Sequence, residues 1–497
     1  MKRSLIDRAV GIFSPRAELE RLKARAAVNL VRSYDSARQK KRDGGWVAQG
    51  SSANAEIGPA LARLRNSSRD MVRNNAYAAR VIDIVVAHDI GAGIVARPRT
   101  GKKTTDKRLA EAWKAWAETT ECDAEGQLDI YGLQSLIRRT VAESGECIVR
   151  LRYRRAEDGL TVPLQLQVLE PDHLDHLKHE TLPGGGRIVF GVEFDALGRR
   201  VAFWLHRDHP GDTLTRLGAA FSSSVRVPAE EVLHIYRKQR AGQVRGVPEL
   251  SAVMTKLQDL GEYHEAALVR AKMEAAIALV VTREDPGDDS RPLAPVDEDE
   301  DGNRIEKLYP GMISYLDPGE NITTINPTPS AGHEAFSRAA LHSIGVGAGV
   351  TYDQISGDLS GANYSSLRAG KIEFRRQVEQ RQWQMLIPML CAPIWKAFVK
   401  AGNIAGSWPI QSANAEFTPP AHEQIDPRKD GAAMLEAVRA GFMTWPQAVS
   451  SMGYDPDTQL DEIAEWARKV EDAKVTLDSD GRVSKSGGMN AFLVNED

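Results

Sequence analysis

The sequence predicts an α+β protein in which helices and an antiparallel sheet occupy separate stretches of the chain. Before residue 146, apolar residues recur at helical spacing, as in Leu133, Ile137 and Val141. Over 146–236 the period changes to two, with apolar residues alternating with arginines and glutamines. Because no helical pattern lies between these strands, the sheet is predicted to be antiparallel rather than doubly wound.

Helical patterns flank the predicted sheet on both sides. We expect helices over residues 60–87 and 248–281, the second with apolar residues repeating every three to four positions. Further helices are expected over 333–345 and from about 363 to 400, the latter kinked at its prolines. The segment 444–447 (TWPQ) has the spacing of a capping box and predicts a small helix near the carboxyl end.

The overall composition is that of a globular protein. Of the 497 residues, 42% are hydrophobic and 27% charged, which excludes wholesale disorder. Three widely spaced cysteines argue against a disulfide framework and favour a reducing compartment. The longest uninterrupted apolar run, 275–281, is far shorter than a bilayer span. We therefore expect a soluble intracellular protein that does not contact a membrane.

The net charge of −4 conceals a strong segregation of charge along the chain. Residues 1–43 carry a net charge of +7, whereas residues 281–330 and 409–497 each carry −8. A chain polarised in this way is expected to meet different partners at different places.

Several motifs could carry chemistry, but none of them forms a convincing catalytic site. His173, His176 and His179 could share one helix face and bind a metal, but Pro171 and the flanking strands favour a histidine-rich surface loop. The acidic segment 284–301 could form a metal-dependent nuclease site, although no apolar wall surrounds it to raise a carboxyl pKa. We predict neither an enzyme nor a cofactor or metal site.

Four segments, in order along the chain, resemble the lambda-type portal protein family of tailed bacteriophages. They lie at 63–75 (RLRNSSRDMVRNN) with 91–94 (GAGI), at 170–175 (EPDHLD), at 234–236 (HIY) with 240–248 (RAGQVRGVP), and at 357–368 (GDLSGANYSSLR). Residues 453–455 (GYD) are also similar to the family. The last segment is the most specific, and together the matches extend over about residues 44–470. The spacing of three histidines over 173–179 is not expected of the family.

This resemblance implies a portal fold and a structural function. The chain would form a ring, usually of twelve subunits, at one vertex of the capsid and serve as the conduit for double-stranded DNA during packaging and ejection. The implied partners are the terminase large subunit, the major capsid and scaffold proteins and the head-completion or connector proteins. The implied location is the virion, after assembly in the host cytoplasm. The alternative is a DNA-processing enzyme of the packaging machinery, such as the nuclease considered above.

The resemblance also implies a division of the chain into the parts of a portal subunit. These are an N-terminal basic arm (1–43), a wing (44–247), a stem helix (248–281), a clip (282–330), a second stem helix (331–350), a tunnel loop (351–362), a long helix of the wing or crown (363–408), a helical crown (409–470) and a flexible C-terminal tail (471–497).

The expected tunnel loop contains acids but neither lysine nor arginine, which suits a wall along which DNA slides. Its expected DNA-facing residues are Asp353, Asp358, Ser360, Asn363 and Tyr364. Glycines before the loop are the expected hinge, namely Gly345, Gly347 and Gly349. Acids of the clip are expected to face the terminase, namely Asp297, Glu298, Asp299, Glu300 and Asp301.

A basic face is predicted on the helix that follows the loop. Arg368, Lys371 and Arg375 fall on one side of this helix at spacings of three and four residues. They could line the upper channel or steer DNA. The alternatives are salt bridges between subunits or a solvated face.

Overall fold

The described residues of the computed structural model are 50–212, 223–276, 332–361, 363–422, 424 and 426–475, with four short strands between 280 and 323. The chain divides into the units Met1–Ser52 and Ala53–Asp497, and every element below belongs to the second. The basic arm expected at 1–43 and residues 476–497 of the expected tail lie outside the described residues.

Twelve α-helices can be described in this part of the chain. They are α1 (Ala53–Asn74), α2 (Ala76–Asp89), α3 (Lys103–Ala117), α4 (Ile130–Ser144), α5 (Met254–Ala276), α6 (His333–Ala348), α7 (Tyr352–Ser356), α8 (Tyr364–Arg381), α9 (Ala392–Ile404), α10 (Pro427–Arg439), α11 (Trp445–Ser451) and α12 (Pro456–Asp472). The expected capping box is present at the start of α11, where Thr444 and Gln447 bond reciprocally.

The helix expected over 60–87 is in fact two helices, so that prediction is wrong at its centre. Asn75 adopts an extended conformation between α1 and α2. Its side-chain oxygen accepts hydrogen bonds from the backbone N–H groups of Tyr77 and Ala78, which caps α2. Asparagine is one of the residues preferred at helix N-caps, and Asn75 separates the two helices by capping the second.

Fourteen strands are described. They are β1 (Val95–Pro98), β2 (Glu146–Tyr153), β3 (Leu164–Leu169), β4 (Glu180–Thr181), β5 (Arg187–Val189), β6 (Val192–Phe194), β7 (Arg200–Leu205), β8 (Val225–Pro228), β9 (Val232–Tyr236), β10 (Val280–Arg283), β11 (Val296–Glu298), β12 (Arg304–Glu306), β13 (Glu320–Thr323) and β14 (Ala415–Thr418).

The strand pairings confirm an α+β fold with antiparallel sheets. All nine pairings between these strands are antiparallel. Among the described residues from β2 to β9, the helical elements between strands are short 3₁₀ turns. The single expected sheet is divided in two: a three-stranded sheet of order β3-β2-β9 and a five-stranded sheet running from β4 to β8. In addition, β1 pairs with the distant β14, which attaches the C-terminal region to the N-terminal helices.

Helices α5 and α6 pack side by side in antiparallel directions. His264 Nε2 lies 3.0 Å from Ser337 Oγ, while Lys256, a little over two turns earlier, donates to Ser343. The helix expected to reach residue 281 ends at Ala276, because Val280–Arg283 forms a strand that pairs with Glu320–Thr323. The excursion between the two helices is thus closed at its base by β10 and β13.

The long helix expected from residue 363 is confirmed, but its winding changes partway. Between α8 and α9, Gln382–Cys391 forms a π-helix that contains Pro388. A proline in a helix lacks an N–H donor and crowds the preceding turn, and wider winding relieves both problems. The continuous run Ser365–Ile404 has an apolar window long enough to cross a bilayer, but 67% of that window is buried within the chain, as in a core helix.

The main core lies where this long helix crosses the three-stranded sheet. Trp395 and Phe398 of α9 pack against Trp113 and Trp116 of α3, and the ring centroids across this contact are 5.0–5.2 Å apart. The indole N–H of buried Trp116 donates to the Leu164 carbonyl, so the large aromatic surface of this residue is buried without an unsatisfied polar group.

Buried charges connect elements that are far apart in sequence. Glu146, the first residue of β2, is fully buried, and its carboxylate accepts from Arg245, Arg65 and His234 at 2.6–3.1 Å and from the Gly246 N–H at 2.9 Å. Burial alone would raise the Glu146 pKa, but the Arg245 charge and the His234 hydrogen bond hold it well below its usual range. The carboxylate therefore stays ionised inside the protein.

A second buried carboxylate joins the helices. Asp89, near the end of α2, receives hydrogen bonds from Arg138 of α4 and Arg381 of α8 at 2.6–3.0 Å. Arg138 Nη2 also donates to both carboxylate oxygens of Glu249, at 2.9 and 3.0 Å. Each buried charge is matched by an opposite one, which is the condition under which such groups are tolerated.

Replacing Glu146 by glutamine tests the importance of its charge. The substitution leaves the buried Arg65 and Arg245 side chains short of one negative charge, and we expect the free energy of unfolding to fall by about 3–5 kcal/mol. Urea denaturation of the two proteins measures this difference. The matched control is Glu111→Gln, an exposed position in α3, which should leave stability unchanged. If Glu146→Gln lowers the free energy of unfolding by less than about 1 kcal/mol, the negative charge of Glu146 is not important for stability.

The lowered pKa of His234 should make the stability of the protein depend on pH. Burial lowers its pKa to about 4, against an ordinary value of about 6.5. Below about pH 6.5 the unfolded chain binds a proton at this position that the folded chain does not bind until about pH 4, so stability falls as the pH falls through this window. Urea denaturation between about pH 7 and about pH 5 should show a shallower decline in His234→Gln than in the unchanged chain.

Candidate functional site

The expected hinge glycines do not form a link between elements. Gly345 and Gly347 lie inside α6, and only Gly349 lies beyond it, as its left-handed C-cap at φ 73°. A Cβ at Gly347 would come within 2.4 Å of Val253 Cγ1, and one at Gly345 within 2.9 Å of the Val350 carbonyl oxygen. The helix expected to end at Gly345 therefore continues to Ala348, and Gly345 and Gly347 allow it to pack closely against its neighbours. A hinge at Gly349 remains a prediction.

The expected tunnel loop begins with a short helical turn, α7, which is held by contacts with the neighbouring helices. Gln354 accepts a hydrogen bond from the Thr351 N–H, so the side chain of the third residue of α7 closes back on its start. Ile355 is 3% exposed and belongs to the apolar cluster between α2, α6 and α8. Arg80 of α2 donates to the Gln354 carbonyl at 3.2 Å. These contacts fix the first half of the loop to the helices around it.

Asp358 ties the second half of the loop to α6. One carboxylate oxygen accepts from Arg338 Nη2 and from the Tyr352 hydroxyl, both at 3.1 Å. The other accepts from the Ser360 Oγ at 2.6 Å and from its N–H at 2.9 Å. The hydrogen bonds from Ser360 and then from Tyr352 lower the Asp358 pKa to about 2.

The Arg338–Asp358 pair changes the electrostatic description of the loop. From the sequence, the loop is acidic and contains no cation, but α6 supplies Arg338, which lies 20 residues before Asp358 in the chain. Asp358 is therefore paired with a cation, which it shares with Glu334, and Asp353 is the other acid of the loop. The exposed tip beyond the pair carries Leu359, which is 60% exposed.

The start of α8 is capped by its own side chains. Asn363 is its N-cap, and its side-chain oxygen accepts from the Ser366 N–H at 2.8 Å while Ser366 Oγ accepts from the Asn363 N–H at 3.2 Å. Tyr364 is the first residue of the helix. Together with Asp358, the loop residues border a small open cavity of about 220 Å³ that also contacts Arg338.

The predicted basic face is partly occupied by contacts within the chain. Arg368 pairs with Asp430 of α10 at 3.4 Å, so this cation contacts the C-terminal region of its own chain. Arg375 is half-buried, whereas Lys371 is exposed. Of the three, Lys371 is therefore the one most accessible to an external partner.

The three loop histidines have separate environments. His173 Nδ1 lies 3.1 Å from the His206 carbonyl oxygen, and His179 packs edge-on against Phe190. His176 is half-buried, and burial lowers its pKa. The histidines therefore do not converge on a common point.

One group of three side chains among the described residues has the spacing of metal ligands. It consists of Glu170, Asp172 and His209. Arg69 Nη2 lies 2.9 Å from the Glu170 carboxylate and 2.6 Å from the Asp172 carboxylate, so these acids already form ion pairs.

The acidic segment contains a strand, which the sequence pattern did not predict. Asp297 and Glu298 lie in β11, where they pair with Ile305 and Arg304 of β12. The remaining expected clip acids, Asp299, Glu300 and Asp301, lie outside the described residues.

Comparison with known proteins identifies the class as phage portal proteins. A sequence profile described as phage portal protein, lambda family, matches residues 39–382. Because this match includes more than half of the chain, the protein belongs to the lambda family of phage portal proteins.

Individual relatives are also described as portal proteins. The probable portal protein of Halomonas phage phiHAP-1 is 28% identical over 472 residues, covering 90% of this chain and 88% of the relative. The portal protein of Escherichia phage N15 is 23% identical, covering 83% and 85%. Portal protein B of Escherichia phage lambda is 22% identical, covering 82% and 84%.

Solved structures give weaker similarities. The neck of an empty gene transfer agent particle, computed with C6 symmetry, has a TM-score of 0.47 at 14% identity, covering 83% of this chain and 96% of that one. An HK97 family phage portal protein from Corynebacterium diphtheriae has a TM-score of 0.27 at 13% identity, covering 78% and 99%.

The sequence patterns missed the two contacts that organise the site. Neither Arg338 nor Tyr352 has a pattern that connects it with Asp358, because such pairings depend on how α6 and the loop fold together. One available signal was the capping spacing from Thr351 to Gln354, which predicts a helical turn inside the loop.

Removing the Arg338–Asp358 pair should loosen the tip of the loop. Exposed pairs contribute about 0.2–1 kcal/mol, so Arg338→Gln should increase amide hydrogen exchange over 357–361 by about two- to fivefold. The matched control is Glu334→Gln, which removes the other, more exposed carboxylate near Arg338 and should leave exchange unchanged. Equal exchange in all three proteins would contradict the role of the pair.

Proposed function

We propose that this chain is the subunit of a portal ring at one capsid vertex and a conduit for double-stranded DNA during packaging and ejection. The observation that carries the proposal is membership of the lambda portal family over residues 39–382. On this basis the ring resides in the virion and meets the terminase large subunit, capsid and scaffold proteins, and head-completion proteins.

The fold allows a specific division of the subunit. The helices and sheets from α1 to β9 would form the wing, and α5 and α6 the antiparallel stem. The paired strands β10 and β13 would form the base of the clip, with β11 and β12 within it. The turn α7 with residues 357–361 would be the tunnel loop, and α10 to α12 would belong to the crown.

Exposed apolar side chains support assembly into a ring. On α5, Leu268 and Val269 are 56% and 53% exposed, and on α6, Phe336 and Val346 are exposed as well. Large apolar side chains exposed on two packed helices would be covered by a protein–protein contact. In a closed ring each subunit meets two neighbours through different surfaces, which would cover such residues.

The electrostatics of the loop suit a channel through which DNA moves. Each contact between a phosphate and a lysine or arginine strengthens DNA binding, and a ring multiplies every such contact by the number of subunits. A cationic loop would hold the duplex in place. With Arg338 paired to Asp358, the loop would present hydroxyl groups and one acid, Asp353, to DNA.

The nuclease alternative has no comparable support. The relatives are described as portal proteins. In the described residues, the one group with metal-ligand spacing is occupied by Arg69, and the described acids of the clip lie on a strand next to Arg304.

Electron microscopy of the purified full chain tests the proposal. Class averages should show closed rings with an axial hole, because the exposed apolar surfaces require neighbours. A compact monomer of 54.6 kDa at all concentrations would refute the ring. Incubation of the same preparation with duplex DNA and Mg²⁺ should leave the DNA intact, whereas metal-dependent cleavage would favour the nuclease.

Charge reversal at Lys371 and Arg375 tests whether the basic face acts on DNA. We expect the double variant Lys371→Glu/Arg375→Glu to form rings but to package less DNA, as measured by the nuclease-resistant DNA per particle. The control is Lys396→Glu, an exposed cation on α9. Failure of the double variant to assemble would instead indicate that these residues form salt bridges between subunits.

A further inference from the structure

A large open pocket lies at the amino end of α3, away from the expected channel loop. Its volume is about 750 Å³, and its lining includes Arg99, Lys102 and Arg108 but no carboxylate. Part of the lining, here called the floor, is apolar: Pro409 and Ile410 are accessible there, and Leu109 and Trp408 lie buried behind them. A basic rim over an apolar floor fits an acidic peptide that also carries apolar side chains.

The cations of the rim differ in how far they are already neutralised. Arg99 pairs with Glu416 at 2.8 Å and with Asp457 at 3.2 Å. Arg108 donates to the Ser407 carbonyl, which leaves its charge uncompensated. Lys102 and Arg108 form no ion pair with any carboxylate in the part of the chain that the structure describes. The pocket thus has two cations available for an anionic partner.

The sequence of this chain contains a segment of matching chemistry. Residues 492–497 read FLVNED, three apolar residues followed by an amide and two acids. We propose that the pocket binds segment 492–497 of the same chain, with the apolar side chains on the floor and Glu496 and Asp497 at Lys102 and Arg108.

The length of the intervening chain permits this contact. Helix α12 begins beside the pocket, because Asp457 in its first turn pairs with the pocket residue Arg99. Its 17 residues extend about 25 Å at about 1.5 Å per residue. Residues 473–491 can extend up to about 60 Å, more than twice the length of the helix, so the segment can return to the pocket. The proposal does not depend on ring formation.

Disulfide trapping in the full-length chain tests the proposal directly. Lys102→Cys combined with Asn495→Cys should close under mild oxidation at least about fivefold faster than the matched control, Lys114→Cys with Asn495→Cys. Lys114 is an exposed residue of the same helix, about 18 Å further along it. The native thiols Cys122, Cys147 and Cys391 are buried and should not compete.

The form of the cross-linked product identifies the occupant. The proposal expects a species of monomer mass with altered mobility on a non-reducing gel. Predominant dimers or higher ladders would show that the segment of a second copy occupies the pocket, and equal closure rates in both pairs would show that the pocket holds no such segment. Either outcome overturns the proposal.

A charge-reversed tail separates specific binding from chance encounter. Adding Glu496→Lys and Asp497→Lys to the first pair should reduce the closure rate to that of the control, because Arg108, the available rim cation that remains once Lys102 is a cysteine, would then repel the segment. These substitutions lie outside the folded elements described above and should leave the melting temperature unchanged. An unaltered closure rate would contradict the proposed recognition.

Discussion

The ionised carboxylate of Glu146 is the constraint on which the N-terminal half of the fold depends. A charge at the start of a central strand must be matched, and its partners come from α1, from β9 and from the segment after β9. The backbone at Gly246 can approach the backbone at Gly145 closely because neither residue has a side chain. A Cβ at Gly246 would lie 2.1 Å from the Gly145 carbonyl oxygen. The sheet, the first helix and the entry to α5 are therefore positioned by a single group.

This arrangement gives a physical meaning to the segments that resemble the portal family. Arg65, Asp172, His234 and Arg245 belong to three different segments, yet all lie around Glu146 or are one ion pair removed from it. The segments are far apart in sequence and meet in one buried network. Their role in the described chain is architectural: they hold together the layers on which the loop and the helices of the site are mounted.

Local patterns predicted the elements well wherever periodicity or capping determines them. The alternation in β2, the long helix from Asn363 and the capping box at Thr444 all depend on neighbouring residues. The patterns failed where packing over long distances decides. Gly345 and Gly347 looked like a flexible link but accommodate close contacts, and Asp358 looked like a free acid but is paired with Arg338. Such pairings are properties of the folded chain and leave no short-range signal.

The π-helix around Pro388 has a consequence for insertions and deletions. A π-turn contains about one residue more than an α-turn, so removing one residue from Gln382–Cys391 would allow regular α-winding to resume. Without that adjustment, a one-residue deletion in α9 itself would rotate everything beyond it by about 100° and turn Phe398 out of the aromatic core. Within the long helix, the π-helical segment is therefore the place where a one-residue change in chain length disturbs the packing of the core least.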